Sequence, residues 1–251
     1  MRVKMPELCP FGGVAEAPSF SLEDPSFSVE DAEVNFPSIR NFEPIKAKTH
    51  CIYSAGSRIW GSPPLDRTLS FRENMRRVAG HMAHFINLSR AMKIDGYVID
   101  LPDREYGDSV EALARSTHAV LRCLSDFDPM GEGCMDKAIE DPAWCFTFGG
   151  ERIFVNTFAP CYPESHARYG FGSQSTIIAM QPRHTFAPMV RPGDSSLGPA
   201  IRQRIRTIFN EHGRSYAGNL SMVPYEAYRC IRPMQPDGPV VRWWETPLDG
   251  I

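Results

Sequence analysis

Apolar residues recur at helical spacing through Phe71, Met75, Val78, Met82, Phe85 and Leu88, while Arg72, Arg76, Arg77 and Arg90 fall on other faces. That period predicts a helix over Phe71–Met92. Ser109, ahead of an Ala112/Leu113 face, opens a second helix through Leu124. A third spans about Gly198–His212 with arginines at 202, 204 and 206, and a short one lies near Tyr225–Cys230. Strand patterns lie between these helices. Thr49–Ile59 suggests a first strand and its turn, broken off by Pro63 and Pro64, and DGYVIDLP (95–102) is a compact β-type run ending at proline. Trp144–Phe148 and Arg152–Phe158 flank Gly149-Gly150 and read as a hairpin, and Thr176–Met180 runs to a stop at Pro182. Residues 1–45, rich in Pro, Ser, Glu and Phe without a period, read as an extended arm with one short helix near Leu22–Glu33. The expected fold is α+β: a single domain over 46–251, with a central mostly antiparallel or mixed sheet flanked by helices.

Composition narrows the classes. A chain of 251 residues with 42% hydrophobic content can bury a full core. Its net charge of -3 argues against a nucleic-acid partner, and no run approaches the roughly 20 apolar residues of a membrane span. The N-terminus has basic residues but no apolar stretch behind them, so no secretory signal is read there and a cytoplasmic location is expected. Seven cysteines form no CxxC pair, which suits reduced thiols rather than a disulfide framework or a structural zinc. There is no phosphate fingerprint, no HExxH and no GxSxG.

Candidate chemistry concentrates in 141–186, where two aromatic-rich strands, a Pro/Cys/His/Arg loop and a third strand follow one another. A polar loop on a stiff scaffold is where binding groups tend to sit. The string Asp141-Pro142-x-Trp144-x-Phe146-x-Phe148-x-Gly150-Glu151, then Phe154-Val155-Asn156, Pro160, His166-x-Arg168 and Gln181-Pro182-Arg183-x-x-Phe186, resembles the YqcI/YcgG family. Leu197-Gly198 before an Ile/Arg helix and the early Cys51 segment fit more loosely. The resemblance spans 49–230, with its specificity in 141–186.

Members of that family include haem-dependent hydroxylases that oxidise a guanidine nitrogen. The resemblance therefore implies haem b, dioxygen, an external electron donor from a separate redox partner, and N-hydroxylation of a small guanidine or amine, with free L-arginine the leading substrate. A homodimer stays open. His166, in the irregular loop, is the expected iron ligand. Cys161 in the same loop is its rival, with Cys145 and the strand-end His184 behind it. Arg168, Tyr169 and Arg183 are expected near the haem propionates, because guanidinium pairs carboxylate through parallel hydrogen bonds. Glu164, Glu151 and Asp141 are the carboxylates that could hold a guanidinium substrate; each also reads as a solvated charge. Two other classes remain: a haem sensor or carrier without turnover, and a non-haem metal enzyme built on His81 and His84, which share a helix face at i, i+3. His118 reads as an ordinary helix histidine.

Overall fold

The computed structural model describes residues 28–52, 54–189, 199–214, 216, 220 and 223–248. Five strands form one mixed sheet in the order β1-β2-β5-β4-β3: β1 (Ile59–Gly61), β2 (Gly96–Leu101), β3 (Phe146–Phe148), β4 (Glu151–Phe158) and β5 (Thr176–Pro182). β1 joins β2 in parallel; the other pairs are antiparallel, so the α+β single-domain expectation holds. β3 and β4 are the expected hairpin. Its turn needs Gly149 and Gly150, at φ 59° and 77°, a left-handed geometry that glycine adopts without strain.

Helices α1 (Pro37–Lys48), α2 (Phe71–Met92), α3 (Val110–Asp126), α4 (Pro199–Glu211) and α5 (Ala227–Cys230) accompany the sheet. α2 begins at a capping box: Ser70 accepts the Glu73 amide, and the Glu73 carboxylate accepts the Ser70 amide. Its Met75, Met82 and Phe85, with Leu113, Val120 and Leu124 of α3, cover one sheet face at Tyr97, Ile99, Ile153, Val155, Ile178 and Met180. The C-terminal Trp243 is fully buried in the same core, beside Trp144 and His118.

The opposite face carries Val98, Ile177, Ala179 and Phe158 and meets Phe42 and Ile45 of α1. Here the extended-arm expectation is corrected over residues 28–45. A π-helical turn, Asp31–Asn35, leads into α1, which reaches Lys48. Prolines 37 and 44 suggest breaks, but Pro37 is the first helical residue, where a missing N–H costs nothing. Residues 1–27 of the arm, with the start of its expected short helix, lie outside the described residues. The expected Thr49–Ile59 strand is also shifted. Ile52 and residues 54–56 lie in turns, and the strand begins at Ile59 so that Gly61 can pass under α1; a Cβ there would stand 2.2 Å from Ser38 Oγ. Within β2, Asp100 is buried against α1, where Asn41 Nδ2 donates to its Oδ2 at 2.7 Å and burial pushes its carboxyl pKa up.

Candidate functional site

The loop after β4 returns beside its own strand, since Ala159 bridges Tyr169 in parallel. This return buries His166 and Arg168 at the sheet edge. The His166 ring stacks on Tyr162 at 4.1 Å and 4°. Its Nδ1 accepts the Arg168 backbone N–H at 3.0 Å, which puts the ring proton on Nε2, and Nε2 donates to the Pro233 carbonyl at 3.1 Å. Burial, and then the Arg168 and Arg232 charges, lower its pKa to about 4, against the Pro233 hydrogen bond that raises it. The imidazole is neutral at physiological pH. Tyr162 repeats the theme one residue earlier on the partner segment, donating to the Arg232 carbonyl at 2.7 Å. Together these rings clasp residues 232–233 to the loop.

Arg168 turns its side chain onto the strand, where Nη2 donates to Asn156 Oδ1 and the guanidinium lies 5.4 Å from the Phe158 ring centroid. No carboxylate pairs with it among the described residues. Tyr169, next in the chain, stands 5.3 Å from Phe171, and the Arg214 guanidinium covers both rings at 5.5 and 4.1 Å. Phe171 holds a left-handed φ of 53°, which is costly for an aromatic residue. Arg183 does not join this loop. It pairs with Glu226 at 2.7 Å, and Glu226 also takes Arg229, three residues before Arg232.

The three expected substrate carboxylates are spread apart. Glu164 is exposed in the loop, and its charge acts on Arg214. Glu151 is held by Arg90 at 2.5 Å, and exposed Asp141 caps a turn by accepting the Ala143 amide at 2.7 Å. None of them is a buried, uncommitted carboxylate.

Haem, which the resemblance implies, brings two carboxylates and an iron that needs an uncommitted donor lone pair. Arg168 fits the first demand. His166 does not fit the second in this conformation, because one ring nitrogen carries the proton and the other already accepts an amide. Cys161 fits poorly, since burial pushes its thiol up to about 11 and the thiolate is the ligating form. Buried Cys145 accepts from the Arg152 guanidinium at 2.8 Å. His184 fits: both ring nitrogens are buried without a hydrogen-bond partner among the described residues. Its Nδ1 stands 3.4 Å from Glu151 Oε2, within ion-pair range if the ring is protonated but not hydrogen-bonded. His81 meets the Tyr97 hydroxyl at 3.2 Å, and His84 is buried in α2. Among the described residues no group of three or more His, Cys, Asp or Glu could hold a bare metal ion. His118 binds the Thr246 carbonyl at 2.9 Å.

Pattern reading missed Arg214 and Arg232. Arg232 lies in a Pro-rich, aperiodic tail, and nothing local marks it. Asn156 left one signal, a side-chain amide set among Phe154, Val155 and Phe158.

The model of the YqcI/YcgG family matches residues 62–219, more than half of the chain. Comparison with curated proteins and with solved structures gives no match. No described helix is long and apolar enough to cross a membrane.

Proposed function

The chain belongs to the YqcI/YcgG family, and from that premise we propose that it binds haem b and N-hydroxylates a small guanidine or amine, free L-arginine first among them. The observation that carries this reading is Arg168. Its guanidinium is buried on the sheet, held by a neutral amide and an aromatic ring, and lacks a carboxylate among the described residues. A propionate is a fitting partner for such a group. Tyr169 would line the same side, and His184, whose Nε2 has no hydrogen-bond partner among the described residues, would hold the iron. Bound haem would supply the oxygen activation, with electrons from a separate redox partner.

The chain's own residues orient and exclude. Neutral His166 and Tyr162 hold the C-terminal segment against the loop through two carbonyls, keeping Arg168 out of water. Cys134, Cys145, Cys161 and Cys230 are free thiols, in keeping with action in a reducing cytosol.

The test is expression with haem supply, followed by ferric, ferrous and ferrous-CO spectra of wild type, His184→Ala and His166→Ala. The expected result is a Soret band that shifts or disappears in the His184 variant and persists in the His166 variant. No Soret band in the wild type under full haem supply would sink the haem reading. Product analysis with L-arginine and a reductase separates turnover from a haem carrier, since a carrier shows the band and no hydroxylated product.

A further inference from the structure

Burying a charge without a partner is costly, and proteins normally pair it. The ion pairs of this chain sit largely on exposed arginines such as Arg67 and Arg90. Arg168 and Arg232 differ. They are only 6% and 4% exposed, yet neither has a carboxylate within ion-pair distance among the described residues. Arg232 Nη1 is buried with no hydrogen-bond partner among the described residues, and its guanidinium lies 5.6 Å from the Tyr216 ring centroid. The two guanidiniums feel each other: burial first, then the Arg168 and Arg229 charges, lower the Arg232 pKa to about 10 despite the opposing effect of Tyr216.

Arg232 cannot readily swing out to water. Thr157 donates to the Cys230 carbonyl at 2.8 Å, Tyr162 to the Arg232 carbonyl at 2.7 Å and His166 to the Pro233 carbonyl at 3.1 Å. Three neutral donors on β4 and its loop thus fix the backbone that delivers the charge. A positively charged site held in place by neutral bonds, with a guanidinium nitrogen left unsatisfied, is preorganised for an anion.

We propose that Arg168 and Arg232 together form a binding site for the carboxylate of a small-molecule ligand, with Arg232 Nη1 as its open donor. Two sources share this chemistry: a haem propionate, which rests on the function proposed above, and the α-carboxylate of a free amino acid, which does not. Asn156 orients Arg168 by accepting from Nη2 and leaves its other nitrogens for the ligand.

The test compares wild type, Arg232→Met and Arg232→Lys with four probes. Haem is set against its dimethyl ester by Soret titration, and L-arginine against its decarboxylated analogue agmatine by calorimetry on the haem-free protein. The expected result is a loss of roughly tenfold to a hundredfold in Arg232→Met for the carboxylate member of at least one pair. The member lacking carboxylate should be unaffected, and Arg232→Lys should recover part of the loss. Loss in the haem pair identifies the propionate, and loss in the L-arginine pair identifies the amino acid. If the wild type gives no Soret band but binds L-arginine through its carboxylate, the haem reading fails and this site stands. Absence of carboxylate-dependent binding in both pairs overturns the proposal. A second readout guards against a folding artefact. Ligand-free Arg232→Met should melt no lower than wild type, because it removes an uncompensated buried charge. A clear drop in its melting temperature would mean that Arg232 serves packing, and would also overturn the proposal.

Discussion

His166 makes a quantitative statement about acid stability. Its pKa falls from 6.5 to about 4 on folding, chiefly through burial. Between those values the unfolded chain takes up a proton that the folded chain refuses. The contribution is therefore fully present above about pH 6.5 and is lost as pH falls towards and through the folded value. The slope is at most roughly 1.4 kcal/mol per pH unit, and the whole effect is on the order of 3 kcal/mol. The perturbation is His166→Gln, whose amide can still donate towards Pro233 but takes up no proton. Urea unfolding of haem-free wild type and variant at pH 7.5, 6.5, 5.5 and 4.5 gives the comparison. The variant should be the less stable at pH 7.5, because it loses the Tyr162 stack and the Arg168 amide bond. Its deficit should shrink as pH falls. Burial also lowers the pKa values of His50 and His118 and raises that of Asp100, but these act on both proteins and cancel in the difference. Parallel stability curves from pH 7.5 to 4.5 would refute the reasoning, since they would mean that His166 titrates alike folded and unfolded.

Three further perturbations address the scaffold around the site. Ser70→Ala removes half of the capping box at α2 and should cost about 1 kcal/mol in thermal unfolding without altering ligand binding. Gly149→Ala forces a left-handed φ on an L-residue and brings its Cβ to 3.1 Å from Ile86 Cγ2, so a loss of about 1–2 kcal/mol is expected; an unchanged melting temperature would contradict the turn geometry. Because its thiol is pushed up to about 11, Cys161 should be nearly inert to iodoacetamide at pH 8, and Cys161→Ser should leave the fast alkylation phase unchanged.

The helices and the hairpin were legible because each carries its own local signal. Phe71–Met92 has an apolar stripe, and Gly149-Gly150 marks a turn that few other residues can make. α1 was not legible, because its stripe is short (Ile39, Phe42 and Ile45) and two prolines sit in it; the sheet face it covers decides its conformation. The loop 160–170 drew attention through its residue types, and Arg168 lies within it. The role of His166 was not readable. Whether an imidazole offers a lone pair depends on what its two nitrogens meet, and Pro233 is distant in sequence. Arg232 was illegible for the same reason: its meaning lies in Arg168, brought near only by the clasp.

The clasp and the anion site therefore share one electrostatic account, and this yields a sharper expectation. Burial is the larger cause of the depressed His166 pKa, and the Arg168 and Arg232 charges add to it. A carboxylate seated between the arginines would offset the second cause and leave the first. The His166 pKa should then rise towards 6.5 without reaching it, because the ring remains buried. Bound ligand should accordingly lessen the acid loss assigned to His166, on top of the uniform gain that any ligand of the folded state confers. Repeating the wild-type and His166→Gln titration with saturating L-arginine separates the two effects. The uniform gain appears in both proteins at every pH, whereas the flattening appears only where the imidazole is present. A flattening of equal size in both proteins would show that the bound anion does not act through His166. Complete loss of the pH dependence would mean that ligand binding exposes the ring to water and opens the clasp.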